Sequence, residues 1–441
     1  MHLDNWLAQR AVACPDRIAV VAGDYEVSYA ELEFEANRAA RRLAARGVRR
    51  GSTVVIEVPA GLEHVVVQHA LMKLGAIAYP LDPRLGADER AGELERAAPA
   101  LVLSGGSDAG LTEADLPLLG EHALDDVCCR ILTSGSSGHA RPVGLTYGNH
   151  LWSAVGSAFN LGVEPTDRWL CCLPLFHVSG LSIVIRSVIY GTGAIVHDGF
   201  DVDRVASSLE GDGATVVSLV ATQLSRLLEA GVDLLPLRAV LVGGGPVPED
   251  VLEEAIGRGA TVVQTYGLTE AASQVTTLAP AEARSKLGSA GRPLLTTHLR
   301  INEGEILVQG PTVAPGVSDE DGWLHTGDLG RIDADGFLYV EDRLGDMIVT
   351  GGENVIPAEI EEVLLRHADV LDAAAVGRAD AEWQEAVAAV VVLRDGAEAD
   401  ADELRRHCRN SLADYKVPKR FEFVEELPRT ASGKLLRRAL R

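Results

Sequence analysis

The sequence predicts an α/β fold of at least two domains, a large one of mostly parallel sheet layered with helices and a small one behind it. Three observations carry the prediction. Helical and extended patterns alternate through the first third of the chain, the rhythm of βαβ units. The 441 residues are more than one hydrophobic core organises. Beyond a glycine that breaks a strand pattern at position 345, roughly one hundred residues carry their own strand and helix signals, the size of a small domain.

Apolar residues make up 47% of the chain and mean hydropathy is +0.10, as in a well-packed globular protein. The longest apolar run, 387–393, is too short to span a bilayer. The start, Met1-His2-Leu3-Asp4-Asn5-Trp6, has neither the basic nor the apolar region of a secretory signal, so the expected location is cytoplasmic. A formal net charge of −24 argues against a nucleic-acid backbone or an anionic membrane as main partner, so local positive charge must hold any anionic substrate. The six cysteines, Cys14, Cys128, Cys129, Cys171, Cys172 and Cys408, form no C-x-x-C pair. They read as small buried hydrophobes, not as a zinc site or disulfide framework.

Ser28-Tyr29-Ala30-Glu31 is a capping box, and Leu32, Ala36, Ala39 and Leu43 follow at helical spacing until Gly47. Residues 53–58 are a short apolar strand and 62–74 an amphipathic helix. Ile77-Ala78-Tyr79 begins a strand that Pro80 and Pro83 end. Residues 104–126 are polar and acidic, as at a surface. Ile131-Leu132 then run into Thr133-Ser134-Gly135-Ser136-Ser137-Gly138-His139-Ala140-Arg141. Small hydroxyl residues and glycines in that order can turn backbone N–H groups inward as an anion nest, which suits a phosphate chain. The order is not that of a Walker loop, because the cation comes late. Taken alone, the stretch reads equally as a flexible Ser/Gly linker.

His177 stands between an apolar run and a small-residue helix start. A satisfied core histidine is the commoner meaning of such a position, and a pocket wall that touches substrate is the other. Residues 237–242 are a buried strand ending in Gly243-Gly244-Gly245-Pro246, and 261–264 another, ending in Thr265-Tyr266-Gly267-Leu268-Thr269-Glu270. Ligands of α/β sheets collect at the carboxyl ends of strands. Glycines there let a flat base approach the backbone, Tyr266 can stack on it, and Glu270 can hold a magnesium ion that phosphates bridge. The plainer alternatives are a tight turn and a solvated carboxylate.

Asp328, in Thr326-Gly327-Asp328, can accept both hydroxyls of a ribose, and Arg343 can bind the same sugar or a phosphate. Gly345 suits a hinge. After it, Gly351-Gly352-Glu353-Asn354 makes a tight loop and Pro357 opens a helix whose buried face is Ile360, Val363 and Leu364. Strands at 373–376 and 387–393 and a helix near 402–412 follow. The end, Pro428-Arg429-Thr430-Ala431-Ser432-Gly433-Lys434-Leu435-Leu436-Arg437-Arg438, reads either as a solvated basic tail or as a Ser-Gly loop whose Lys434 reaches a phosphate.

In this order and spacing, the 133–141 loop, Tyr266 to Glu270, Thr326-Gly327-Asp328, Arg343, Gly351-Gly352-Glu353 and Ser432-Gly433-Lys434 resemble the adenylate-forming superfamily of acyl-CoA synthetases, peptide-synthetase adenylation domains and luciferases, over nearly the whole chain. The resemblance implies an N-terminal AMP- and acyl-binding domain at 1–342, a hinge at 343–346 centred on Gly345, and a small mobile α+β domain at 347–441 that carries the catalytic lysine, Lys434. It implies that Thr133, Ser134, Gly135, Ser136, Ser137, Gly138, Arg141, Gly244, Gly245, Pro246, Thr265, Tyr266, Gly267, Thr269, Asp328 and Arg343 hold ATP and AMP. Glu270 would hold Mg2+, His177 would line and gate the acyl pocket, and Gly351, Gly352 and Glu353 would form the CoA passage.

Within the superfamily, Leu173 to Ser182, Arg186-Ser187-Val188-Ile189-Tyr190-Gly191, Gln264 to Gln274 and Lys286-Leu287-Gly288-Ser289-Ala290-Gly291 are most similar to the o-succinylbenzoate–CoA ligases of menaquinone biosynthesis. That implies ATP, Mg2+ and CoA acting on a dicarboxylate, with Arg186, Thr276 and Ser289 as acyl-pocket candidates. One departure stands out: the superfamily loop ends Gly-x-Pro-Lys-Gly, and here it reads Gly138-His139-Ala140-Arg141-Pro142. Two other functions stay open: an aryl-acid adenylating enzyme that loads a carrier protein, and a non-catalytic nucleotide-binding relative. Expected partners are small molecules, with no nucleic acid and no membrane span, and a homo-oligomer is compatible with all of this.

Overall fold

The computed structural model describes residues 1–85, 87–105, 113–133, 141–343, 346–350, 353–380, 384–412, 414–429, 433 and 435–441. They divide into two compact units, Met1–Leu299 with Val308–Leu324, and Arg300–Leu307 with His325–Arg441.

Runs of Val, Ile, Leu and Ala without polar alternation make strands that are buried on both faces, and six such strands form the parallel centre of a nine-stranded sheet in the first unit. Ile18–Ala22, Gly193–Val196, Arg168–Cys171, Val216–Leu219, Ala239–Val242 and Val262–Leu268 lie side by side in that order. Antiparallel strands close both edges, Tyr25–Ser28 on one side and Ser273–Thr277 followed by Arg292–Pro293 on the other. Leu170, Ile195, Val217, Val240 and Val262 pack against Val205, Leu224, Leu227 and Leu252 of the flanking helices.

A second sheet runs Leu101–Leu103, Thr53–Ile56, Ile77–Pro80, Val127–Thr133, Arg141–Thr146. Its last strand is an edge strand, which tolerates the missing N–H of Pro142. Pro80 is the last residue of its strand rather than the first beyond it.

The capping box forms as expected: the Glu31 N–H donates to Ser28 Oγ at 3.3 Å and the Ser28 N–H to Glu31 Oε2 at 2.8 Å. The helix Leu62–Leu74 departs from expectation. It is buried almost throughout, polar residues included: His64, Gln68, His69 and Lys73 are each at most 3% exposed. Lys73 is neutralised by Glu33 at 2.7 Å. His69 has no partner for Nε2, and burial, reinforced by Lys73 and His122, pushes its pKa down to about 3. His122 stacks on Tyr147 at 4.1 Å and is pushed down to about 4, chiefly by burial.

Both histidines are therefore neutral in the fold and protonated in the unfolded chain below about pH 6.5. The unfolded state then binds more protons, so stability falls as pH drops from about 6.5 towards 4, by ~1.4 kcal/mol per pH unit for each histidine. His69→Gln should flatten this slope by about one proton's worth when urea midpoints are compared at about pH 7 and about pH 5; an unchanged slope would mean that His69 titrates normally.

Five of the six cysteines are buried and all six are free; Cys14 is the half-buried one. The Cys128, Cys129 and His150 ligand atoms lie within 4.8 Å of one another. Cys129 contacts His150 Nε2 at 3.2 Å, and Cys128 donates to Leu145 O at 3.4 Å. No helix among the described residues is long and apolar enough to cross a membrane.

In the second unit, Glu353–Val355, Ile348–Thr350, Gln384–Leu393, Val370–Asp380 and Arg420–Phe423 form one sheet, covered by the helices Pro357–Leu365 and Ala401–Arg409 through Ile360, Leu364 and Leu404. Val370–Asp380 and Gln384–Leu393 are longer than the sequence pattern suggested, because their other face is buried too, as Ala374, Val376, Ala388 and Val390 against Leu427. The sequence boundary at 343 falls inside this unit. The reason is the hairpin of Leu324–Ile332 with Leu338–Arg343, whose second strand packs on the helix Pro357–Leu365. Gly345 lies outside the described residues.

Candidate active site

In the first unit Thr133 and Arg141 are the last paired residues of neighbouring antiparallel strands, and Thr133 Oγ1 donates to Arg141 O at 3.1 Å. The ends of the proposed phosphate loop are thus pinned together. Ser134, Gly135, Ser136, Ser137 and Gly138 lie outside the described residues.

The parallel neighbours Ala239–Val242 and Val262–Leu268 bring the Gly243–Gly245 turn beside Thr265 and Tyr266. A Cβ on Gly243 would sit 2.8 Å from Thr265 O, so the glycine is there for backbone approach. Gly244, Gly245 and Pro246 are exposed just beyond it. The second strand runs on to Leu268 instead of stopping at Gln264, because Thr265 to Leu268 pair with Ser273–Thr277 across a bulge at Tyr266/Gly267. A Cβ on Gly267 would lie 1.6 Å from Ser273 O; no other residue fits. Thr265 Oγ1 donates to Thr276 O at 2.9 Å and holds this hairpin. Thr269 and the half-buried Glu270 then sit on one 3-10 turn, whose exit passes through two non-glycine residues at positive φ, Ala272 (51°) and Ser273 (96°). Such strain persists where surrounding structure holds it.

His177 caps the N-terminus of the helix Val178–Tyr190. Its Nε2 is buried with no hydrogen-bond partner, a feature it shares with His64 and His69 of the buried helix Leu62–Leu74. Burial pushes its pKa down to about 4, with Asp82 opposing and Arg84 adding to the shift, so the ring is neutral. Phe176 packs on it at 4.7 Å, and Arg84, bound to Asp82 at 2.9 Å, lies 5.6 Å over the Phe176 ring. Gly180 is required one turn on, since a Cβ there would meet Pro174 O at 2.3 Å.

Two turns further along the same helix is Arg186, 2% exposed. Helical side chains lean back towards the N-terminus, so Arg186 reaches back along the face that carries Ser182 towards the His177 end. Its Nη1 donates to Gln274 Oε1 at 2.5 Å and Ser157 Oγ at 3.3 Å, and Nη2 to Ser153 Oγ at 3.4 Å. Trp169 lies 5.2 Å away, and Nε has no partner. No carboxylate pairs with this guanidinium among the described residues, and burial lowers its pKa. Sequence reading missed Gln274, Ser153, Ser157 and Trp169 as a group. The available signal was an arginine inside an apolar helix opposite a helix with serines at i and i+4.

Thr276 and Ser289 are fully buried with hydroxyls engaged: Thr276 Oγ1 donates to Ala290 O at 2.8 Å, and Ser289 Oγ accepts from the Gly291 N–H at 3.0 Å. They hold the 288–291 turn against the strand Ser273–Thr277.

In the second unit Thr326-Gly327-Asp328 lie inside the strand Leu324–Ile332 and are held from both sides. Thr326 Oγ1 donates to Ile306 O at 2.7 Å and accepts from the Asp328 N–H at 3.1 Å, while Glu305 accepts from the Gly327 N–H at 2.9 Å. Asp328 and Arg343 are directly opposite in the antiparallel pairing. Gly351, Gly352 and Lys434 lie outside the described residues; Glu353 begins the strand Glu353–Val355. On either side of Lys434, Arg429 and Leu435 form an antiparallel bridge, and Arg429 pairs with Asp372 at 2.5 Å. Arg437 grips Glu361 at 2.6 Å and Asp346 at 3.3 Å, so this end is more than a solvated tail.

Residues 7–317 match the AMP-binding enzyme family and 359–434 the AMP-binding enzyme C-terminal domain. The chain is 42% identical to a 2-succinylbenzoate–CoA ligase of Bacillus licheniformis, with 100% of both sequences covered. It is 40% identical to one of Bacillus cereus, covering 100% of this chain and 98% of the relative. Among solved structures, o-succinylbenzoate CoA synthetase from Bacillus subtilis in complex with an acyl-adenylate intermediate superposes with a TM-score of 0.94 at 39% identity, covering 100% and 98% of the two chains.

Proposed function

The chain belongs to the AMP-binding enzyme family, and on that premise we propose that it is an ATP-dependent ligase converting 2-succinylbenzoate and CoA to 2-succinylbenzoyl-CoA, a step of menaquinone biosynthesis. The observation that carries the substrate is Arg186, a buried guanidinium without a counter-ion. A buried charge normally has an ionic partner, and a dicarboxylate brings one: one carboxylate reacts while the other meets Arg186.

In the first step an oxygen of the reacting carboxylate attacks the α-phosphorus of ATP, and the bond to the pyrophosphate oxygen breaks. In the second, the CoA sulfur attacks the acyl carbon, the bond to AMP breaks, and the thiol proton leaves. No enzyme nucleophile is needed, in line with a sequence that lacks the Gly-x-Ser-x-Gly elbow.

The pinned ends of the 133–141 loop support phosphate binding, the glycine turn beside Tyr266 supports an adenine platform, and Asp328, held through its backbone in register with Arg343, supports ribose binding. Glu270, half-buried on its turn, fits Mg2+, an ion that keeps most of its waters and takes one or two protein carboxylates; bound there it would neutralise phosphate charge. The neutral, unpartnered His177 supports an acyl-pocket wall. Gly345 as hinge, the 351–353 segment as CoA passage and Lys434 as adenylation lysine rest on family membership.

Acid-dependent ATP–pyrophosphate exchange with a panel of acids, followed by thioester formation on CoA or on a pantetheinylated carrier protein, tests the reading. Exchange should depend on 2-succinylbenzoate, and CoA should be the acceptor. Turnover of medium-chain fatty acids with none of 2-succinylbenzoate would overturn the substrate, and transfer to the carrier alone would overturn the acceptor.

A further inference from the structure

We propose that Gln274 is a specificity-determining residue: it positions Arg186 through an uncharged amide and so leaves the full guanidinium charge available to the substrate carboxylate that does not react. This rests on the dicarboxylate reading above.

Every partner of Arg186 is neutral. The Gln274 oxygen, two serine hydroxyls and the face of Trp169 surround it. Two of the three acceptors are themselves oriented. Gln274 Nε2 donates to Thr277 Oγ1 at 3.1 Å, which turns Oε1 towards Arg186. Thr277 Oγ1 is held in turn by Thr265 Oγ1 at 2.8 Å, and Ser153 Oγ donates to Ala272 O at 2.7 Å, which leaves a lone pair for the guanidinium. The cage thus fixes the geometry of the cation without cancelling its charge, and Nε stays unmatched.

Glutamate is isosteric with glutamine and would make a stronger, charge-assisted contact with Arg186. A buried arginine fixed only for stability would be expected to carry such a partner. With glutamate there, an incoming carboxylate would enter a net-neutral, low-dielectric site and would lose its compensation on leaving water.

The test compares wild type, Gln274→Glu and Gln274→Met on 2-succinylbenzoate and on its two mono-acid analogues, in which one carboxylate or the other is replaced by hydrogen. Gln274→Glu should raise KM for 2-succinylbenzoate by about 10²-fold, leave KM for ATP unchanged, and abolish the preference for the di-acid over the better mono-acid. Its thermal midpoint should equal or exceed that of wild type. Gln274→Met, which keeps the charge of Arg186 but not its placement, should retain the di-acid preference at lower kcat. Retained preference in a folded Gln274→Glu overturns the proposal, as does lost preference in Gln274→Met, since placement alone would then explain the glutamine. A wild-type protein that shows no preference for the di-acid instead refutes the underlying substrate reading.

Discussion

Arg186→Met should lower kcat/KM for 2-succinylbenzoate by about 10²–10³-fold, because deleting one partner of a buried charge pair costs about 2–5 kcal/mol. The loss should fall mainly on KM for the acid and leave KM for ATP in place. Folding should not suffer. Arg186 is buried without a counter-ion, and replacing such a charge by an apolar side chain of similar length removes a desolvation cost. Initial rates with the di-acid and its mono-acid analogues, together with thermal unfolding, check both halves. If turnover of the mono-acid that lacks the non-reacting carboxylate falls as far as that of the di-acid, Arg186 has only a packing role.

Lys434→Ala should cost about 10²–10³-fold in adenylation, the effect of deleting one transition-state donor, while a supplied acyl-adenylate is still converted to thioester. The α-phosphorus gains negative charge as it becomes five-coordinate, and the second step needs the same face open to the CoA thiol. Gly345→Pro, which restricts the proposed hinge, should do the opposite: spare adenylation and slow thioester formation. Pyrophosphate exchange reads the first half-reaction and thioester release from the adenylate reads the second. Equal slowing of both by Lys434→Ala would end the alternation model.

Position by position, the two kinds of information contributed differently. The Ser28–Glu31 capping box, the helix from Leu62 to Leu74 and the apolar strands of the parallel sheet were legible, because they depend on neighbours within a few residues. Their outer limits were not. Val262–Leu268 extends through Tyr266 only because Ser273–Thr277 folds back on it. Val370–Asp380 and Gln384–Leu393 run longer than their apolar centres because both of their faces are covered.

The site divides the same way. The order of the glycine-rich loop, Tyr266 to Glu270, Thr326-Gly327-Asp328 and Lys434 along the chain indicated adenylate chemistry through its resemblance to the adenylate-forming superfamily, whereas each motif by itself had a plainer alternative. What a buried polar group lacks cannot be read from its neighbours in sequence. That the His177 Nε2 is buried and unpartnered is visible only in the fold. The ties of Thr276 and Ser289 to the 288–291 turn, one donating to Ala290 O and the other accepting from the Gly291 N–H, likewise show only in the fold. The charge on Arg186 became evidence for a second carboxylate only once Ser153, Ser157, Trp169 and Gln274 were seen to surround it. Those residues come from three other elements, the nearest of them 17 positions away in sequence. Local propensity and motif chemistry are written along the chain, whereas desolvation and the pairing of charges depend on residues that only folding brings together.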